Sequence, residues 1–173
     1  MEEELGKIAQ SIVSKLAARG WTVGTAESCT GGGIAAALTA VPGSSACVRG
    51  GIVAYAEEMK VRLLGVSPET LKVYGVVSEQ TVIEMAQGAM KSMNSTFSIA
   101  TSGVAGPSGG TDKVPVGTIW IAVASQSNVV TRCVSDYNEG RLQNTRNAVM
   151  VAIRMLRKVV ENEENQPKSE IND

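Results

Sequence analysis

The chain has 173 residues, 43% of them hydrophobic, with a formal net charge of −1, three cysteines and no histidine. That length suits one domain with a proper core, and the near-neutral charge, without a basic stripe, argues against nucleic acid as a partner. Cys29, Cys47 and Cys133 are too far apart for a disulfide framework or a zinc site, so neither a metal nor a cofactor is expected.

The acidic start, Met1-Glu2-Glu3-Glu4, lacks the apolar stretch of a signal peptide. No apolar run reaches the ~18 residues of a membrane span, so a cytoplasmic protein without membrane contact is expected. Leu5, Ile8, Ala9, Ile12, Val13, Leu16 and Ala17 repeat with helical period, and Gly20 is placed to end that helix. A strand is predicted over 21–25 and a small-residue helix over 32–39, closed by Pro42-Gly43. A second, buried strand over 51–55 leads to a short helix carrying Lys60. Ser67-Pro68 and Ser78 each read as the start of a further helix. Phe97–Thr101 is a third strand, opening into a Gly- and Pro-rich loop over 102–117; strands over 118–124 and 129–135 form a closing hairpin. A last helix is predicted over 142–161, and 162–173, polar and without period, reads as a disordered tail, leaving one domain over 1–161. Alternating elements ending in a hairpin predict a three-layer α/β/α domain with a mixed, mostly parallel sheet.

Chemistry concentrates where the first strand meets the second helix, in Thr25-Ala26-Glu27-Ser28-Cys29-Thr30-Gly31-Gly32-Gly33. Free backbone N–H groups at such a turn can hold an anion or a developing oxyanion. Ser28 is a candidate nucleophile there, its alternative being a helix cap; Cys29 is the neighbouring rival, its alternative a small buried apolar residue. The stretch is not the G-x-S-x-G elbow, and without histidine the usual triad is impossible. Lys60, past Tyr55 at the end of the second strand, is then the natural candidate base if burial keeps it neutral, with Tyr55 able to relay the proton or donate a hydrogen bond; the alternative for Lys60 is a solvated charge. The loop Ser102-Gly103-Val104-Ala105-Gly106-Pro107 lets backbone N–H groups approach a ligand, though it is no P-loop. Arg141 and Arg146 are candidate phosphate ligands.

These motifs, with Gly51-Ile52-Val53-Ala54-Tyr55, Lys60, Leu64-Gly65-Val66, Gly75-Val76-Val77-Ser78, Gly109-Gly110 and Pro115-Val116-Gly117, closely resemble the CinA C-terminal domain family over about residues 5–160. The resemblance implies hydrolysis of the carboxamide of nicotinamide mononucleotide to nicotinate mononucleotide and ammonia. It implies Ser28 as nucleophile, assisted by Tyr55 and Lys60, with Arg146 on the phosphate; the N–H groups of Thr30, Gly31 and Gly32 are then expected to stabilise the oxyanion, and Gly103, Ala105 and Gly106 to contact substrate. Arg146 is preferred to Arg141 because the family's paired arginines are four residues apart. The chain departs from many members in Tyr55-Ala56-Glu57, where they carry Tyr-Ser-Asn. The expected partner is this small molecule, in a homo-oligomer; the competing expectation is a nucleotide-binding or regulatory module without turnover.

Overall fold

The computed structural model describes residues 2–135 and 138–165. In chain order the elements are α1 (Glu2–Arg19), β1 (Val23–Glu27), α2 (Gly33–Thr39), β2 (Val48–Val53), α3 (Glu57–Leu64), α4 (Pro68–Tyr74), α5 (Glu79–Met93), β3 (Phe97–Gly103), β4 (Ile119–Ala124), β5 (Val129–Val134) and α6 (Arg141–Asn165). They form the expected α/β domain around one five-stranded mixed sheet, in the order β2-β1-β3-β4-β5. The β1–β2 and β1–β3 pairings are parallel, and those of β3–β4 and β4–β5 antiparallel, so four strands point one way and β4 the other.

Two apolar clusters sandwich the sheet. One joins α1, α2 and α6 through Ile12, Leu16, Ile34, Leu38, Ile153 and Leu156, as the period of α1 requires. The other joins α3, α4 and α5 through Leu64, Leu71, Val82 and Met85. Helix starts follow their caps, with Ser67 accepting from the Glu69 N–H and Ser78 from the Thr81 N–H. A close backbone approach sets α3 against α5: a Cβ on Gly88 would lie 1.8 Å from the Leu64 carbonyl oxygen, so only glycine fits.

Three elements differ most from the sequence reading. The second strand runs over Val48–Val53 rather than 51–55, and at the edge of the sheet its residues alternate between half-buried and exposed instead of being buried. The first strand starts at Val23 and runs to Glu27, entirely buried, two residues later than the apolar run suggests. Thr25, Ala26 and Glu27 pair on both sides, with β2 and with β3, and that pairing overrides local composition. The last helix continues past 161 to Asn165. Glu164 pairs with Lys15 at 2.7 Å and Arg19 at 3.1 Å, and Glu163 accepts from Ser125 at 2.6 Å and from Ser127. The start of the expected tail is thus tied to α1 and to the β4–β5 turn, while 166–173 lies outside the described residues. Among the described residues no helix is long and apolar enough to cross a membrane.

Candidate active site

Parallel register builds the site. Glu27 of β1 is level with Val53 of β2 and Thr101 of β3, so the residues following all three strands emerge together at the carboxyl edge of the sheet. The ladders run one residue further, from the Ala54 N–H to the Glu27 carbonyl (2.9 Å) and from the Ser28 N–H to the Thr101 carbonyl (3.0 Å). Ser28 thus begins its turn from a backbone already fixed. Gly31 and Gly32 complete that turn with φ of 61° and 98°, left-handed values that a side chain adopts only at a cost.

Lys60 comes from the buried face of α3, one turn before Leu64. Only 2% exposed, it donates from Nζ to the Ala54 carbonyl at 2.8 Å and to Ser28 Oγ at 3.0 Å. Burial holds its pKa below the ordinary lysine value of 10.5. Two charges oppose that shift, Cys29 as thiolate and Glu57. The first is absent at neutral pH, because burial pushes the Cys29 thiol up to about 12, with the Glu27 charge adding to the rise and Lys60 and Arg141 working against it. Cys29 is therefore a protonated thiol, and Ser28 is the hydroxyl in contact with the buried lysine.

A cavity of about 370 Å³ opens on this pair, lined by Ser28, Cys29, Tyr55, Lys60, Gly103, Ala105, Gly106 and Arg141 among others. A larger hollow of about 750 Å³ lies between β5 and α6, lined by Arg132, Arg154, Arg157 and Lys158, but it holds no serine–lysine pair. Size does not mark the site; the reactive groups do.

The structure gathers most of the expected residues and separates others. Tyr55 stands at the cavity mouth, 59% exposed, its hydroxyl accepting from Arg141 Nη2 at 2.7 Å. The direct Lys60–Ser28 contact leaves no gap for Tyr55 to relay a proton. Thr30, Gly31 and Gly32 form the turn behind Ser28 rather than the cavity wall. The N–H of Gly31 is taken by the Ser28 carbonyl and that of Gly32 by the Glu27 carboxylate, each at 3.0 Å. Neither is an oxyanion donor; the amide of Cys29, which lines the cavity, is bonded to no other residue among the described residues.

Arg146 lies outside the cavity, in a small apolar hollow with Leu5, Gly33 and Val149, its guanidinium 4.0 Å from Glu2. Arg141 is the arginine at the site, donating to the Gly106 carbonyl at 2.9 Å as well as to Tyr55. The reason is helical geometry: five residues at ~100° each put the two arginines about 140° apart around α6. Arg141 makes no ion pair with a carboxylate among the described residues, so its charge is available to a ligand.

The residue that sequence reasoning missed is Glu27. It is fully buried beside Ser28 and accepts hydrogen bonds from five groups. Its signal was a carboxylate next to a candidate nucleophile, obscured by placing the strand end at Thr25.

A model of the CinA C-terminal domain matches residues 5–160. The chain belongs to that family. A CinA-like protein of Fervidobacterium nodosum is 48% identical over 138 residues, 80% of this chain and 34% of that protein. The chain therefore spans about a third of the length of such CinA-like relatives, the corresponding share being 37% for one from Shewanella amazonensis. An Escherichia coli K12 protein named nicotinamide-nucleotide amidohydrolase PncC is 46% identical over 124 residues, 72% of this chain and 75% of that one. The crystal structure of competence/damage inducible protein CihA from Agrobacterium tumefaciens matches with a TM-score of 0.88 at 39% identity, covering 91% of this chain and 95% of that one. This CinA domain thus has its fold in common with a solved structure, and close relatives in sequence that carry an amidohydrolase name.

Proposed function

We propose that the chain hydrolyses the carboxamide of nicotinamide mononucleotide, giving nicotinate mononucleotide and ammonia through a serine acyl-enzyme. The observation that carries this reading is the buried Lys60 Nζ held 3.0 Å from Ser28 Oγ in a chain without histidine. The substrate class comes from the relatives named PncC.

In the first half-reaction Ser28 Oγ attacks the carboxamide carbon while neutral Lys60 takes the hydroxyl proton. The backbone amide of Cys29, which lines the cavity beside Ser28, is the donor for the oxyanion. Collapse of the tetrahedral intermediate breaks the C–N bond, and Lys60 returns the proton to the departing ammonia. Water then attacks the acyl carbon, Lys60 takes its proton and hands it back to Ser28, and the carboxylate leaves. Arg141, at the rim between Tyr55 and Gly106, is the ligand for the substrate phosphate.

The test is to incubate the protein with nicotinamide mononucleotide in excess EDTA and assay ammonia and nicotinate mononucleotide. Equal amounts of both products support the reading. Binding of the nucleotide by calorimetry without release of ammonia would identify a module that holds the ligand without turning it over.

A further inference from the structure

Among the described residues Glu27 is the one buried carboxylate beside the reaction centre, and the mechanism above does not use it. Its Oε1 accepts from Thr25 Oγ1 at 3.1 Å and from the Ala35 N–H at 2.8 Å. Its Oε2 accepts from Thr30 Oγ1 at 2.7 Å and from the N–H groups of Gly32 and Ile34, both at 3.0 Å. Thr30 Oγ1 is also 2.7 Å from Thr101 Oγ1, which extends the network to β3. Three of the backbone donors at the start of α2 thus find their acceptor in the residue immediately before Ser28.

We propose that Glu27 is a positioning residue: its carboxylate is a built-in anion that ties the start of α2 to the end of β1 and so fixes the turn carrying Ser28. The proposal rests on the amidase reading of Ser28 and Lys60. The turn is pinned at both ends from inside the protein. Glu27 holds its far end at Gly32, Ile34 and Ala35, the Thr101 carbonyl holds the Ser28 N–H, and the Gly31 N–H holds the Ser28 carbonyl. Ser28 Oγ then stays within reach of Lys60 without any movement on substrate binding, the preorganisation that acyl transfer exploits. A second consequence follows. With these backbone donors occupied by Glu27, a substrate phosphate finds no vacancy at the start of α2 and is left to Arg141.

Glutamine cannot replace this group. Backbone N–H donors face both oxygens, so either orientation of the amide turns its NH2 toward at least one of them. Glu27→Gln is expected to lower kcat about 100-fold. KM should stay within about 3-fold, and the acid limb of the pH–rate profile should not move, because Lys60 is still held by the Ala54 carbonyl. Thr30→Val deletes one side-chain donor and keeps every backbone donor; it is expected to lower kcat about 10-fold with little change in thermal midpoint. A folded Glu27→Gln variant, or Thr30→Val, with wild-type kcat overturns the proposal. So does a loss in Thr30→Val that appears only in the thermal midpoint, since that is what a purely structural carboxylate predicts. If Glu27→Gln does not fold, Thr30→Val decides alone. If the wild-type protein releases no ammonia, the amidase reading fails by itself. The rate at which a fluorophosphonate phosphonylates Ser28, with loss of fluoride, then takes the place of kcat: slower phosphonylation of Thr30→Val supports positioning, and equal rates overturn it.

Discussion

Two glycine-bearing segments face the same cavity and are held in opposite ways. The turn after β1, residues 28–32, is pinned from within by its own neighbour Glu27 and by the Thr101 carbonyl. The loop after β3 is held from outside: Asn144 of α6 donates to the Ala105 carbonyl at 3.0 Å, Arg141 to that of Gly106, and Ser102 reaches back to the Val76 carbonyl at 2.6 Å. The first arrangement suits bond making, where an error of an ångström is expensive. The second suits recognition, because Arg141 both supports the loop and carries an uncompensated charge to the rim. Changes in the turn should therefore act on kcat, and changes at Arg141 on KM.

The largest effect is expected for Ser28→Ala, which should lower ammonia release on the order of 10⁴–10⁶-fold while leaving nucleotide binding by calorimetry intact. A loss of only a few-fold would make Ser28 a helix cap and undo the contrast.

Lys60→Arg should be next, about 10³-fold or more down, since a guanidinium keeps its charge and cannot accept the serine proton. On the proposed mechanism only the neutral lysine is active, so the rate should rise with pH through a pKa lying below 10.5, lowered by burial. Substantial activity in Lys60→Arg would reduce Lys60 to an electrostatic partner.

Arg141→Ala sharpens the comparison from the other side. It should raise KM for nicotinamide mononucleotide about 10–100-fold, the worth of a charge-assisted pair, with a smaller change in kcat. An equal fall in kcat would place its bond to Tyr55 in the chemistry rather than in binding.

Stability offers a check that does not depend on turnover. Unfolded Lys60 titrates near 10.5 and the native group below it, so between the two values the unfolded chain binds more protons and stability rises with pH. Below both values this contribution is constant. Urea midpoints across that window should climb less steeply in Lys60→Met, and an unchanged slope would contradict a depressed lysine. The smallest effect belongs to Cys29→Ala: with a thiol pKa pushed up to about 12, its removal should change kcat by less than about 3-fold. A collapse of activity there would shift the nucleophile by one residue.

The sequence by itself determined what short-range forces decide. Helical period located α1, α5 and α6, and Ser67 and Ser78 marked helix starts, because a capping bond closes within three residues. The lack of histidine excluded the usual base and left Lys60 as the candidate, and Ser28 and the 103–106 loop were legible beside it. Only the tertiary structure decided which candidates meet. Ser28 and Lys60 are 32 residues apart and touch because β1 and β2 pair in parallel register while Gly88 lets α3 settle against α5. Arg141 rather than Arg146 reaches the cavity because of where α6 begins and which face it buries. The role of Glu27 depends on donors from a strand, a turn and a helix converging on one carboxylate. Composition and period describe neighbours along the chain; a reactive pair is set by register and packing between segments, which neither records.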